Sequence, residues 1–92
     1  MQLFLKAFSL LRPHLKRQGI GYLGEPFTCK DGTTLKELIA TLGFGEKEVE
    51  GAFVNHLVVP KTTVLKEGDK VALIPPGTPG SYRLILGIKE NA

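Results

Sequence analysis

The sequence predicts an α+β fold in which β-strands pack against one main α-helix, and three patterns indicate this class. Apolar residues recur at helical spacing most clearly between Thr34 and Leu42. Strand-like alternation marks residues 2–8, and two short apolar runs flanking a turn mark a hairpin at residues 51–60. The short apolar run Lys70 to Ile74 is suited to the middle of a sheet. A chain of 92 residues provides one domain with a modest core.

The first strand is predicted from Gln2 to Phe8. Its core-facing side carries the aliphatic residues Leu3, Leu5 and Ala7. Phe4 and Phe8 lie on the other side, so we expect that side to be only partly exposed. Residues 9–18 predict a short helical turn or a loop, and a second strand is expected from Pro26 to Lys30.

The main helix is predicted between Thr34 and Leu42. One face of it carries four apolar residues, Leu35, Leu38, Ile39 and Leu42. Thr34 and Glu37 have the spacing of a capping box, in which each side chain binds a free backbone amide of the other residue. Gly43 supplies the left-handed residue that ends a helix.

The second half of the chain predicts a hairpin and a further strand. Residues 51–60 form the hairpin, with its turn at Asn55 and His56, where a type I′ turn requires positive φ at both positions. A second turn is expected at Glu67 to Asp69, and it leads into the strand Lys70 to Ile74.

Composition excludes several classes of protein. No apolar run has the length of a membrane span, and the first residues do not have the pattern of a signal peptide. A single cysteine, Cys29, excludes an internal disulfide framework, so we expect a cytoplasmic protein. The net charge of +3 does not by itself indicate nucleic-acid binding. A basic cluster is expected to be a solvated loop: Arg12, His14, Lys16 and Arg17.

Catalytic and metal sites are not indicated by the remaining residues. Cys29 has no neighbouring histidine in sequence to activate its thiol, so a packed or surface thiol is expected. His14 and His56 lack the spacing of metal ligands. We therefore expect no catalytic residues and no metal site.

Three ordered motifs in the second half of the chain carry a resemblance to a known family. They are V-N-x-x-x-V-P at 54–60, L-x-x-G-D-x-V at 65–71 and L-I-P-P-x-x-x-G at 73–80. In this order they resemble the ubiquitin-like sulfur-carrier family, which includes the small subunit of molybdopterin synthase (MoaD) and the thiamine-biosynthesis carrier (ThiS). The resemblance implies that residues 1–80 form a β-grasp (ubiquitin-like) domain, with a mixed sheet packed on one main helix.

The resemblance also implies a function for the end of that domain. Members of the family are carriers rather than enzymes: a partner adenylates the terminal glycine with ATP, and a sulfur donor converts it to a thiocarboxylate. Gly80 stands at the family distance from the diproline and is the expected sulfur-carrying residue. The expected tail comprises Pro75, Pro76, Gly77, Thr78 and Pro79, and its prolines stiffen the exit from the sheet.

Partners and cofactors follow from the same resemblance. It implies an adenylating enzyme of the ubiquitin-activating type and an acceptor synthase subunit, with ATP used by the partner and no cofactor bound to this chain. Phe53 and Leu73 are possible contacts on the partner surface, although either can equally belong to the core. The acceptor pathway stays open between molybdopterin, thiamine and another sulfur acceptor.

The chain departs from the family pattern at two places. Pro79 replaces the penultimate glycine, and residues 81–92 follow Gly80 as a C-terminal extension. Tyr82, Leu84 and Leu86 share one side of a predicted added strand, which can dock on its own sheet, on a second copy or on a partner. Either a protease cuts after Gly80 and releases a carrier, or the uncut chain is an interaction module that uses this strand.

Overall fold

The structure of the protein is a computed structural model, and it describes residues 1–77. It contains five strands, two α-helices and one 3₁₀ turn in that range. In chain order these are β1 (Gln2–Ala7), the 3₁₀ turn (Ser9–Leu11), α1 (Arg12–Arg17), β2 (Leu23–Thr28), α2 (Leu35–Thr41), β3 (Gly51–Val54), β4 (Leu57–Val58) and β5 (Lys70–Ile74).

The five strands form one mixed sheet in the order β2-β1-β5-β3-β4. β5 is parallel to β1 and antiparallel to β3, while β1 pairs antiparallel with β2 and β3 with β4. The apolar run at 70–74 therefore occupies the centre of the sheet, as predicted. The expected mixed sheet packed on one main helix is confirmed.

One buried cluster joins the sheet to α2. β1 alternates as predicted, because Leu3, Leu5 and Ala7 have no exposed surface while their neighbours in the strand are exposed. The apolar stripe of α2 lies in the same cluster, and its residues are Leu35, Leu38, Ile39 and, just after the helix, Leu42. We call the side of the sheet that carries this cluster the core face, and the opposite side the outer face.

The predicted ends of α2 are confirmed in detail. The Glu37 amide donates to Thr34 Oγ1 at 3.2 Å, and the Thr34 amide donates to Glu37 Oε1 at 2.9 Å. Hydrogen bonds from the Thr34 backbone amide, and then from its hydroxyl, hold the pKa of Glu37 below its ordinary value. Gly43 ends the helix with φ +84°.

Two expectations about the first half of the chain were inaccurate. The second strand runs over Leu23–Thr28 rather than from Pro26 to Lys30, because its bounds are set by pairing with β1 between Gln2↔Thr28 and Lys6↔Leu23. Pro26 is tolerated because β2 is an edge strand, where one missing N–H breaks no interior ladder.

The basic segment 12–17 is a short helix, which is one of the two alternatives predicted for residues 9–18, and it is not the solvated loop expected for the basic cluster. Arg12 Nε donates to the carbonyl of Ala7 at 2.9 Å, and its guanidinium lies 5.6 Å from the ring centroid of Tyr22. His14 Nε2 lies 3.0 Å from the Leu42 carbonyl. Two of the four cluster side chains therefore attach α1 to the domain.

Among residues 1–77, no helix is both long and apolar enough to cross a membrane.

Candidate functional site

The chain leaves the sheet from its central strand. β5 ends at Ile74, and Pro75 and Pro76 follow, so the hydrogen-bond ladder cannot continue through two residues that lack an N–H. Pro75 is buried, whereas Pro76 and Gly77 are exposed. The diproline therefore brings the chain from the centre of the sheet to the surface. The predicted tail residues Thr78 and Pro79, the expected carrier residue Gly80 and the extension 81–92 lie outside the described residues.

Pro76 and Gly77 form a turn. Gly77 has φ +80°, a conformation that glycine adopts without the penalty of a Cβ. A proline followed by a glycine at this φ matches the two central positions of a type II β-turn. The described chain thus ends in a turn that is formed by the second proline and Gly77.

The two residues proposed for a partner surface lie on opposite faces. Ala52 pairs with Leu73 and Phe53 pairs with Ala72 in the β3–β5 ladder, so Phe53 and Leu73 are near in the sheet but point to different sides. Leu73 belongs to the core cluster and is 0% exposed. Its assignment to a partner surface is corrected accordingly, because a side chain with no exposed area cannot contact a partner of the folded domain. Phe53 is half-buried and lies on the outer face.

A groove of about 500 Å³ crosses the outer face of the sheet. Side chains from the three central strands, together with Phe8 just after β1, line it: Phe4, Lys6, Phe8, Phe53, Lys70 and Ala72. The registers bring them together, since Phe4 pairs with Lys70 and Ala72 pairs with both Lys6 and Phe53. We call this feature the outer groove. The expectation that Phe4 and Phe8 would not be fully exposed is confirmed, because both line the groove, Phe4 with 36% of its surface exposed and Phe8 half-buried.

The outer groove is apolar with a positive rim. Lys6 Nζ lies 5.2 Å from the ring centroid of Phe8, and Lys70 and His56 add further basic groups. Within residues 1–77, no carboxylate side chain lines it. The groove can therefore take apolar side chains, and it attracts acidic groups at its edge.

The hairpin turn at the end of the groove is attached to β5 by an asparagine. Asn55 and His56 have φ +52° and +69°, as a type I′ turn requires. Asn55 Nδ2 donates to Asp69 Oδ1 at 2.8 Å, and the Lys70 amide donates to Asn55 Oδ1 at 2.9 Å. Asp69 also accepts from the Lys66 amide at 2.8 Å. The Val-Asn and Gly-Asp motifs thus cooperate to fix two turns, a link that sequence spacing did not indicate.

The thiol of Cys29 and the imidazole of His14 are reactive groups, but both have packing contacts. Cys29 is half-buried, a free thiol packed against the core cluster. The His14 ring lies 4.5 Å, centroid to centroid, from Phe44. No group of three or more potential metal ligands occurs within residues 1–77. In the described part of the chain, the outer groove and the exit of β5 are thus the features suited to function.

Comparison with known proteins agrees with this architecture. SAMP1 from Haloferax volcanii has a similar structure, with a TM-score of 0.60 and 16% sequence identity over 87% of this chain and 100% of that chain. This likeness supports the β-grasp fold. No curated protein matches the chain. The family whose model matches is the ThiS family, over residues 20–80 and hence over more than half of the chain. The chain therefore belongs to the ThiS family of ubiquitin-like, sulfur-carrier-type proteins.

Proposed function

We propose that this protein is a sulfur carrier that is cut after Gly80 and then bears a thiocarboxylate on that residue. The observation that carries the proposal is the extent of the family match, which ends at residue 80. The geometry of the exit supports it, because the central strand leads through a stiff diproline to an exposed Gly77, three residues before Gly80. A glycine terminus has no Cβ and can approach a nucleotide phosphate closely.

The chemistry requires a free carboxyl group on Gly80. That carboxylate would attack the α-phosphate of ATP on an adenylating enzyme, forming an acyl-adenylate and releasing pyrophosphate. A sulfur donor would then replace AMP and leave the thiocarboxylate for an acceptor enzyme. Twelve residues follow Gly80 and cover this carboxyl group as an amide, so cleavage must come first.

The outer groove is the surface we assign to the adenylating enzyme. It lies on the same central strand that leads to Gly80, and Phe53 offers an apolar contact there. The positive rim formed by Lys6 and Lys70 favours a partner whose contacting loop carries apolar and acidic residues.

Intact-mass measurement of the protein isolated from its native cells tests the proposal. We expect a species that ends at Gly80 and is heavier than the plain carboxylate by the difference between one sulfur and one oxygen atom. In a Cys29→Ser variant, which lacks a cysteine thiol, iodoacetamide should still alkylate that species once, on the sulfur of the thiocarboxylate. Recovery of the full-length chain alone would overturn the carrier function.

A second function is favoured by the outer groove itself. An open apolar groove binds partners irrespective of the state of residue 80, so the uncut chain can act as a β-grasp interaction module. Deleting residues 81–92 separates the two functions. A carrier becomes a substrate for ATP-dependent adenylation on its activating enzyme, whereas a module that binds through the outer groove keeps its partner and is not adenylated.

A further inference from the structure

We infer that His56 selects the partner of the outer groove by binding, as an imidazolium, a carboxylate that flanks an apolar side chain of the docking segment. Docking therefore strengthens at mildly acidic pH. That the partner is the adenylating enzyme rests on the proposed function, whereas the binding of such a segment does not. The inference depends on the backbone at His56, the surface beside it and the charges that surround it.

The backbone at His56 has a conformation that is unfavourable for histidine. Its φ of +69° lies in the left-handed region, where glycine has no steric penalty and a residue with a Cβ does. Asn55, at φ +52°, is stabilised there because its side chain donates to Asp69 and accepts from the Lys70 amide. Within residues 1–77, the His56 side chain forms no hydrogen bond or ion pair that would stabilise it in the same way. Strain without internal compensation is typical of residues that act on a ligand or a partner.

The imidazole lies where the hairpin turn meets the central strand. The Asn55 amide donates to the Lys70 carbonyl at 2.8 Å, which places the turn beside the start of β5. His56 and Lys70 are both exposed, and both line the outer groove. This end of the groove therefore gains a second positive charge when the imidazole is protonated.

The groove next to this end has room for an apolar side chain. Ala72 is a small residue on the outer face of β5, the central strand. The strands on its two sides contribute the larger residues Phe4 and Phe53 to the same groove. An apolar side chain seated over Ala72 would lie between these two rings and would leave a neighbouring residue of the partner near His56.

The charges around the groove favour a carboxylate as that neighbouring group. Lys6 from β1 and Lys70 from β5 line the groove together with His56, and no carboxylate among residues 1–77 does so. Asp69 precedes Lys70, but its two oxygens accept from the Asn55 side chain and from the Lys66 amide. The positive charge of the groove is thus left for a partner, and a hydrogen bond between an imidazolium and a carboxylate is of the stronger, charge-assisted kind.

Two other occupants match the groove less well. A second copy of the chain, docked through the same face, would bring Lys6, Lys70 and His56 against the same groups of the other copy, and like charges oppose that contact. A nucleic-acid strand is bound through a row of phosphates that are met by basic groups, but the groove has three basic side chains within residues 1–77. A carboxylate beside an apolar anchor matches both the small number of charges and the apolar surface.

The dependence on pH follows from the chemistry of the three basic groups. Histidine changes its charge between pH 5 and 8, whereas lysine stays charged throughout that range. A carboxylate on the partner is already ionised there. Binding should therefore be about three- to fivefold tighter at the lower end of the range, which is the strength of one exposed ion pair.

The test measures the dissociation constants of two capped peptides by amide NMR titration of the full chain at about pH 5.5 and about pH 7.5. One peptide has the sequence Leu-Phe-Asp-Asp-Leu, and the other carries asparagine in place of both aspartates. We expect the aspartate peptide to shift the amide signals of Phe53, Lys70 and Ala72 and to bind about three- to fivefold more tightly at the lower pH. The asparagine peptide should bind more weakly, with the same affinity at both pH values.

Two variants assign the pH dependence to His56. His56→Gly creates the Asn-Gly sequence that this type of turn prefers, so it should fold and should bind the aspartate peptide weakly at both pH values. His56→Lys keeps a positive charge at both pH values and should bind tightly at both. His14 is the other histidine of the chain and does not line the groove. Both variants retain it, so a pH effect caused by His14 would persist in them.

Each other result overturns the inference. A pH effect that persists in His56→Gly, or equal affinities for the two peptides, would show that His56 does not bind a carboxylate in the groove. No shift of the groove signals at any peptide concentration would exclude the groove as the binding surface for such a segment. Equal shifts with inorganic phosphate would indicate unselective anion binding, and tighter binding of a thymidine octanucleotide would assign the groove to nucleic acid. The titrations require neither cleavage nor the adenylating enzyme, so their failure differs from failure of the carrier function, which intact mass reports.

Discussion

Alanine substitutions at Phe53 and Leu73 test whether the two faces of the sheet have different roles. Leu73 is 0% exposed in the core cluster. Replacing such a leucine by alanine removes buried methyl groups and leaves a cavity, which costs about 3–5 kcal/mol. The total stability of a 92-residue domain is on the order of 5–14 kcal/mol. Leu73→Ala should therefore remove a large part of it.

Phe53→Ala should behave differently because Phe53 lines an open groove. Truncation there leaves no enclosed cavity, so we expect a loss of about 1–2 kcal/mol from reduced apolar contact. Urea unfolding of both variants, followed by circular dichroism, measures the two free energies. Leu73→Met, which conserves volume, is the control for the core site and should cost less than about 1.5 kcal/mol.

Binding provides the second measurement for this pair. Phe53→Ala should weaken association with the adenylating enzyme while the domain stays folded, and Leu73→Met should leave association close to wild type. A stability loss at Phe53 equal to that of Leu73→Ala would place Phe53 in the core and refute the assignment of the outer face. Unchanged binding by folded Phe53→Ala would refute the role of the groove in docking.

Three further substitutions test the turns and caps. Thr34→Ala should lower the unfolding free energy by about 1 kcal/mol in urea melts. Because the pKa of Glu37 is lowered in the folded state, its stabilisation is complete at neutral pH and is lost as the pH falls through the lowered pKa. This acid dependence should weaken but persist in the variant, because alanine removes the hydroxyl hydrogen bond and keeps the backbone amide that is the larger cause. Gly43→Ala should lower the thermal midpoint more than Gly32→Ala, although both glycines have φ +84°. The reason is that a Cβ at Gly43 would lie 3.0 Å from His14 Nε2, whereas a Cβ at Gly32 would meet no atom within 4 Å. Equal thermal midpoints would contradict this. His56→Gly should raise the unfolding free energy by up to about 1 kcal/mol by relieving φ +69°, and a lower thermal midpoint would count against strain at that turn.

Several elements were predictable because their signals lie between residues close in the chain. The capping box joins Thr34 to Glu37, the helix stripe repeats within two turns, and the hairpin turn depends on Asn55 and His56. Each of these involves neighbours within one turn or a few residues, whose preferred conformations are set mainly by local sterics and hydrogen bonding. The ordered motifs also carried the family, which the match over residues 20–80 confirms.

Other features could not be predicted because pairing between distant segments decides them. The bounds of β2 depend on its register with β1, and proline within it is acceptable only because the strand lies at an edge. Arg12 and His14 seemed from composition to be solvated, but the Ala7 and Leu42 carbonyls provide partners that the sequence does not reveal.

Residue patterns alone were enough to predict the α+β class, the main helix, the central strand and the family. Three-dimensional packing was needed to show that Phe53 faces the outer groove while Leu73 faces the core, since both are apolar residues within short apolar strands. It also decided that Asn55 is joined to Asp69 and that the chain turns at Gly77. The physical reason is that a strand's alternation assigns residues to two sides, but only packing against α2 determines which side becomes the core.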